Sequence, residues 1–230
     1  MSEPRLKIAL TKGRVEKQVV PLLERAGLDC DLIRHKQRRL IFDSETQPYE
    51  FILAKGPDVT TFLERGAADV GIVGSDILVE HRSTQYELLD LGVGRCQFIL
   101  ASTADFDPAA PKRKIIGTKY PLITKRYFDR LGQDVEIIKI EGSVELAPLT
   151  GLADAIVDIT ETGTTLRENH LQIYDYLQPV STRLVVNRLA LKQHQTAIYQ
   201  LVDRLAAVVA ADEKKEEVII NQNVEQNRKI

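Results

Sequence analysis

Two stretches of this chain, 85 positions apart, follow one plan, and a chain that builds one small α/β unit twice has few architectures open to it. Asp58-Val59 falls on Ser143-Val144, Gly66 on Gly151, Ala68-Asp69 on Ala153-Asp154, and Asp76 on Glu161. Each copy reads as a capped short helix, a Gly stop, Ala-Asp, an apolar strand and then an acidic residue in the loop. Few letters are identical; the physical plan is what repeats, because a Gly past a helix end supplies the left-handed residue that closes it. The pattern predicts two α/β lobes with a cleft between them. Its walls would be the loops at strand C-termini, where open α/β sheets place ligands.

The rest of the chain fits that plan. Leu6–Leu10 reads as a buried strand, Thr11-Lys12-Gly13-Arg14 as a turn, and Val15, Val19, Leu22, Leu23 and Ala26 as a helix face stopped by Gly27. Pro21 inside that face predicts a kink or a late start. Leu40–Phe42, Tyr49–Ala54 and Ala68–Val73 read as strands, with Asp58 capping a helix between the last two. Lys114–Thr118, a helix opened by Pro121, and Val135–Ile140 repeat the alternation, which indicates parallel α/β architecture. Later, Leu184–Val186 and Leu189–Leu191 read as strands and about His194 to Ala211 as an amphipathic helix. The charged, Asn/Gln-rich tail from Asp212 has one apolar cluster, Val218-Ile219-Ile220, and reads as a surface helix or frayed end.

Bulk properties narrow the function class. At 230 residues with 43% hydrophobic and 28% charged content, the chain has the balance of a soluble globular protein. A net charge of −2 predicts no general attraction to nucleic acid or anionic membrane, so any anion site is local. The N-terminus has no signal-peptide core, and no run approaches the ~18 apolar residues that span a bilayer. Cys30 and Cys96 lack metal-type spacing and read as buried thiols of a reducing compartment, so the expected location is cytoplasmic. The four His show no ligand spacing, and no Gly-x-Ser-x-Gly, P-loop Lys or His-Glu-x-x-His occurs. Hydrolase, P-loop kinase and zinc-enzyme readings are poorly supported.

The chemistry concentrates at 157–166, Val-Asp-Ile-Thr-Glu-Thr-Gly-Thr-Thr-Leu. A buried strand carries Asp158 and Glu161 towards its end and runs into Thr162-Gly163-Thr164-Thr165, where a helix begins. Backbone N–H groups at such a turn point at an anion, Thr hydroxyls add donors, and Gly163 permits close approach. The carboxylates can accept from ribose hydroxyls. This stretch resembles the phosphoribosyl-pyrophosphate (PRPP) loop of phosphoribosyltransferases; the alternative is an acidic, Thr-rich helix cap. Glu145, after Gly142-Ser143, is a further acceptor or simply favoured by the macrodipole of a short helix.

Cations gather at other strand ends. Lys12-Gly13-Arg14 follows the first strand and reads as a pyrophosphate holder, with Arg giving bidentate contacts, or as a solvated basic turn. Arg34-His35-Lys36-Gln37-Arg38-Arg39 closes over a polyphosphate, or is an exposed loop or an RNA-contacting patch; the lack of interleaved aromatics weakens single-strand nucleic-acid binding. Lys55, between a strand and a helix, faces the same edge or merely neighbours a cap.

Together these segments resemble the short form of ATP phosphoribosyltransferase over about residues 5–192. The marks are Ile-Ala-Leu-Thr-Lys-Gly-Arg (8–14), Arg-Arg-Leu-Ile-Phe (38–42), Gly-Ala-Ala-Asp-Val-Gly-Ile-Val-Gly-Ser-Asp (66–76), Glu-Leu-Ala-Pro-Leu (145–149) and Asp-Ile-Thr-Glu-Thr-Gly-Thr-Thr-Leu (158–166). The resemblance implies a fold like type II periplasmic binding proteins, with 1–91 and 178–230 in lobe one and 92–177 in lobe two. It implies transfer of the PRPP ribose to N1 of the ATP adenine, opening histidine biosynthesis. The PRPP loop maps onto Glu161, Thr162, Gly163, Thr164 and Thr165, with Asp158 and Glu145 near the ribose; Glu161 stands where some members carry Asp. Arg14 and Arg38 take the catalytic, charge-stabilising role, and Lys12, Gly13 and Lys55 contact ATP or pyrophosphate. Mg²⁺ is expected to be held mainly through PRPP, with no protein metal site. The expected partner is a regulatory subunit similar to a histidyl-tRNA synthetase, with this chain a homodimer inside a hetero-oligomer. Two alternatives stay open: a nucleobase phosphoribosyltransferase, and a non-enzymatic two-lobed solute binder.

Overall fold

The computed structural model describes residues 5–227, with side chains through 215. In chain order come β1 (Leu6–Thr11), α1 (Arg14–Arg25), α2 (Asp31–Arg34), β2 (Ile41–Asp43), β3 (Tyr49–Ala54), α3 (Gly56–Glu64) and β4 (Val70–Gly74). Next are α4 (Ser75–Glu80), β5 (Tyr86–Asp90), β6 (Cys96–Ser102), β7 (Lys114–Thr118), α5 (Pro121–Arg130) and β8 (Val135–Lys139). Then follow α6 (Leu146–Leu149), β9 (Ala155–Thr160), α7 (Thr164–Glu168), β10 (Gln172–Val180), β11 (Thr182–Val186), α8 (Arg188–Gln193) and α9 (Gln195–Asn227).

The chain forms two compact units, each around one sheet. The first takes residues up to Ser75, Thr84–Gly94 and those from Ser181; the second takes Asp76–Ser83 and Arg95–Val180. Residues 76–83, expected within lobe one, pack in the second unit. The reason is local: Tyr120 Oη donates to buried Asp76 at 3.1 Å, and the Glu80 carboxylate caps the first turn of α5, accepting from Leu122 and Ile123 N–H at 3.0 and 3.1 Å.

In the first unit the strand order is β2-β3-β1-β4-β11-β5. β1 lies parallel between β3 and β4, while β2, β11 and β5 pair antiparallel with their neighbours. Alternation along the strands assigns the faces. Ile8, Leu10, Val70, Ile72, Leu184 and Val186 pack with Val19 and Leu23 of α1 and Ile198, Leu201 and Leu205 of α9. Ala9, Gly71 and Val185, in register with one another, face the other way. There α3 presses so close that a Cβ at Gly71 would meet Leu63 Cδ1 at 2.6 Å and Val59 Cγ1 at 3.0 Å.

The second unit has strand order β10-β6-β9-β7-β8, with β9, β7 and β8 parallel, β6 antiparallel to β9, and β10 antiparallel to β6. One face carries Phe98, Leu100, Ile116, Val157 and the α5 side chains Ile123, Tyr127 and Phe128. The other carries Ile99, Ala101 and Ile156 with Val144, Ala147 and Leu166. Both sheets are therefore mixed rather than purely parallel, because each adds antiparallel strands to a parallel centre.

The repeat of the sequence has a hydrogen-bond counterpart. Phe62 O accepts from Ala67 and Ala68 N–H at 2.9 and 3.2 Å, and Ala147 O accepts from Leu152 and Ala153 N–H at the same two distances. Gly66 and Gly151 are left-handed at φ 69° and 72°. Asp69 Oδ2 accepts from Lys7 N–H on β1, and Asp154 Oδ2 from Ile115 N–H on β7, each at 2.8 Å. The Ala-Asp pair is thus a strand-entry clasp in both units.

Three local expectations are corrected. Leu189–Leu191 is helical, within α8, because the Asn187 side chain caps that helix, accepting from Leu189 and Ala190 N–H at 2.7 and 3.1 Å. Asp58 does not cap α3; Lys55 is its N-cap and Pro57 sits in the first turn, where a missing N–H costs nothing. Pro21 does not delay the start of α1, which begins at Arg14 and continues through Pro21 to Arg25. The tail from Asp212, expected as a surface helix or frayed end, continues the final helix to Asn227, and the Val218-Ile219-Ile220 side chains lie outside those described.

Candidate active site

In the first unit, the four expected cations stand at one edge of the sheet. Lys12, Gly13 and Arg14 follow β1, and Lys55 follows its parallel neighbour β3, whose last residue Ala54 pairs with Thr11. Lys12 N–H donates to Ala54 O at 2.8 Å, which fixes the two strand ends side by side. Because β2 runs antiparallel to β3, with Leu53 N–H bonded to Leu40 O at 2.8 Å, Arg38 enters from the same edge. Gly13 has φ 95°, a conformation that only Gly adopts without strain, and there the chain turns directly into α1.

The basic run 34–39 is largely committed to structure. Arg34 forms a two-pronged pair with Glu24 at 2.5 Å, Lys36 pairs with Glu16, and the Arg39 guanidinium lies 5.5 Å from the centre of the Phe42 ring. Arg39 N–H closes a turn on Lys36 O at 2.9 Å, with Gln37 at φ 50°, leaving Arg38 exposed at the tip. Among the described residues, the side chains of Arg38, Lys12 and Lys55 take no hydrogen-bond or ion-pair partner. Three cations at one strand edge without counter-charges of their own form an anion-attracting rim.

In the second unit, the central strand β9 delivers Asp158 and the threonine bend. Asp158 is partly buried beside Ile99 of β6, and its carboxyl is pushed up to about 6. Burial is the main cause; the Ile159 N–H it accepts at 2.8 Å opposes the rise, nearby Glu145 adds to it and Lys119 counters it. Glu145 stands one position before α6 rather than in its first turn. Glu161 is exposed at the end of β9.

The bend itself is built by short-range hydrogen bonds. Gly163 is left-handed at φ 68° and donates its N–H to Thr160 Oγ1 at 3.0 Å. The Thr162 and Thr164 hydroxyls lie 3.0 Å apart. Arg167, one helical turn on, binds both arms: Nη1 donates to Thr162 O at 2.9 Å and Nη2 to Thr164 Oγ1 at 3.0 Å. Thr165 is exposed, its carbonyl accepting from Asn169 Nδ2 at 2.8 Å. A guanidinium only donates, so the Thr164 proton must go elsewhere, to Thr162 Oγ1 or to an arriving oxyanion.

Three side chains of this unit were not singled out from sequence. Arg167 was recognisable, since a cation three residues after Thr164 lies on the same helix face. Lys119, an exposed cation just past β7, is placed by pairing of β7 with β9 and has no sequence signature. Tyr120 is buried, its hydroxyl held by Asp76, 44 residues earlier, and burial pushes its ionisation far above the usual phenol range.

A family model described as HisG: ATP phosphoribosyltransferase matches residues 55–207. The ATP phosphoribosyltransferase of Lactiplantibacillus plantarum is 88% identical over 216 residues, 94% of this chain and 99% of the relative. The chain belongs to the ATP phosphoribosyltransferase family. Its activity is the family's, a glycosyl transfer that opens histidine biosynthesis, and the relative's span accords with the short form. The solved ATP phosphoribosyl transferase (HisG:HisZ) complex from Thermotoga maritima superposes with a TM-score of 0.75 at 31% identity, covering 90% of this chain and 99% of that one. The periplasmic aliphatic sulphonate binding protein SsuA from Escherichia coli matches at a TM-score of 0.58 and 13% identity, over 94% of this chain and 76% of that one. That last likeness is one of fold alone, and it is the type II periplasmic-binding-protein fold.

Proposed function

We propose that the chain joins N1 of the ATP adenine to C1 of the PRPP ribose and releases pyrophosphate. The observation that carries this reading is the Thr162–Thr165 bend at the end of β9, braced by Arg167, with Asp158 on the strand before it. In this reading Thr162, Gly163, Thr164 and Thr165 take the 5′-phosphate, while Glu161, Asp158 and Glu145 accept from ribose hydroxyls. Arg14 and Arg38 balance charge on the departing pyrophosphate, and Lys12, Gly13 and Lys55 contact ATP or pyrophosphate. The adenine N1 already offers a lone pair, so no strong base is needed. Positioning and charge stabilisation as the C–O bond breaks supply most of the rate.

Mg²⁺ belongs to the same proposal. Among the described residues no cluster of three or more His, Cys, Asp or Glu is placed to hold a metal. Asp158 and Glu145, acids this reading assigns to the ribose hydroxyls, would leave Mg²⁺ to keep its waters and ride on substrate phosphates. Such an ion would neutralise the leaving group.

By likeness to the Thermotoga complex, the chain would work with a HisZ-type regulatory subunit similar to a histidyl-tRNA synthetase, as a homodimer within a hetero-oligomer. No described helix is long and apolar enough to cross a membrane, and a cytoplasmic site of action fits the reading. The test is ATP- and PRPP-dependent formation of an N1-substituted adenine nucleotide, followed by absorbance with and without the regulatory subunit. Free adenine replacing ATP as acceptor would instead make the chain a nucleobase phosphoribosyltransferase. Ligand binding without pyrophosphate release would make it a solute binder.

A further inference from the structure

We propose that Glu16 is a positioning residue for the transfer: one buried carboxylate ties the loop bearing Arg14 to the loop bearing Arg38. The proposal rests on the phosphoribosyl-transfer reading above. Glu16 is only 6% exposed, and a charge in such a place is costly unless both oxygens are served. They are served by different loops. Oε2 accepts from Gly13 N–H at 3.1 Å, between Lys12 and Arg14. Oε1 takes the Lys36 ammonium, two residues before Arg38.

Helix capping explains half of this arrangement, since an acid at the third helical position commonly reaches back to the N-cap N–H. A cap uses one oxygen and is ordinarily solvated. It gives no reason for burial, nor for a lysine arriving from 20 residues away. The loop 34–39 is pinned at three points, by Arg34 to Glu24, by Lys36 to Glu16 and by Arg39 over Phe42. Only the middle pin reaches the β1 turn, so the Glu16–Lys36 pair sets where the Arg38 tip stands relative to Arg14. Two cations acting on one diphosphate need that spacing held before the transition state, because an ångström of drift loses orientation that binding cannot restore.

The test uses the full chain, with its regulatory subunit, and compares wild type, Glu16→Gln, Lys36→Met and the double variant. Each single variant should lower kcat and raise the inhibition constant Ki of pyrophosphate, by roughly ten- to a hundredfold. The KM for PRPP should change by less than about twofold, because that substrate is gripped by the threonine bend. The double variant should be no worse than either single one, since both remove the same strap. A merely structural role lowers the active fraction and kcat but leaves Ki unmoved, so a fall in kcat at constant Ki overturns the proposal. So does a wild-type kcat and Ki in Lys36→Met, which changes a partly exposed residue and so tests the strap if Glu16→Gln does not fold. If wild type forms no product from ATP and PRPP and is not inhibited by pyrophosphate, the underlying reading fails instead.

Discussion

Arg167 and Asp158 show how single side chains prepare this site before any ligand arrives. Arg167 spans the bend through a carbonyl and a hydroxyl, so Arg167→Ala frees both arms and removes a cation beside the proposed phosphate position. Charge-assisted bonds of this kind contribute about 1.5–3 kcal/mol each, so the KM for PRPP should rise about tenfold or more, with the KM for ATP nearly unchanged. Steady-state kinetics with each substrate varied in turn checks this; equal rises in both constants would contradict it. Asp158 makes a pH-dependent prediction. Its folded-state pKa, about 6, lies above its ordinary 3.8, so the native state holds the proton longer than the unfolded chain does. Stability is undiminished below pH 4, falls as pH rises from about 4 to 6, and stays lowered above, by about 2–3 kcal/mol. Asp158→Asn should therefore raise the melting temperature at pH 7 but not at pH 4, while weakening PRPP binding. Thermal scans at the two pH values decide it, and an equal shift at both would contradict the burial argument.

At the scale of elements, close packing places the acids. Gly117 on β7 lies under α6, and a Cβ there would sit 2.9 Å from Ala147 Cβ, which has no rotamer to escape into, and 3.2 Å from Ile140 Cδ1. Gly117→Ala should cost about 1–3 kcal/mol, read from the denaturant midpoint, and should also weaken PRPP binding by moving Glu145 with α6. A wild-type midpoint would mean that α6 yields freely. Much of this level was legible in the sequence, and the failures have physical causes. β9 and its bend were plain because an apolar strand meets a Gly-Thr turn with nothing between. Leu189-Ala190-Leu191 read as a strand because a three-residue apolar run has no period, and Asn187 ahead of it was the overlooked cap signal. β5, β6 and β10 carried no assignment at all: β5 and β10 are mostly half-exposed, and β10 contains Pro179 and breaks in register. Glu16 and Lys36 could not be paired from sequence, since only the fold brings them together.

Across the whole molecule, the repeated plan was the most trustworthy signal. The Gly stops and the Asp clasps at 69 and 154 recur as the same hydrogen bonds, and each clasp starts a strand whose far end carries an acid. What the repeat did not reveal was the ownership of residues 76–83, because Asp76 and Glu80 find their partners on Tyr120 and α5. The division of labour proposed here follows the two units: the second grips the sugar phosphate, and the first supplies cations for the diphosphate. Variants of the second unit should act first on the KM for PRPP, and variants of the Lys12–Arg14 and Arg38 loops on kcat.

The measurement that tests this account most directly is the rate of pyrophosphate release from PRPP with ATP as acceptor, compared between wild type, Arg14→Ala and Arg38→Ala. Each variant should lose about 3 kcal/mol of transition-state stabilisation, roughly a hundredfold in kcat, with PRPP still bound. Either variant turning over at the wild-type rate would contradict the central claim that these two arginines carry the charge of the leaving group.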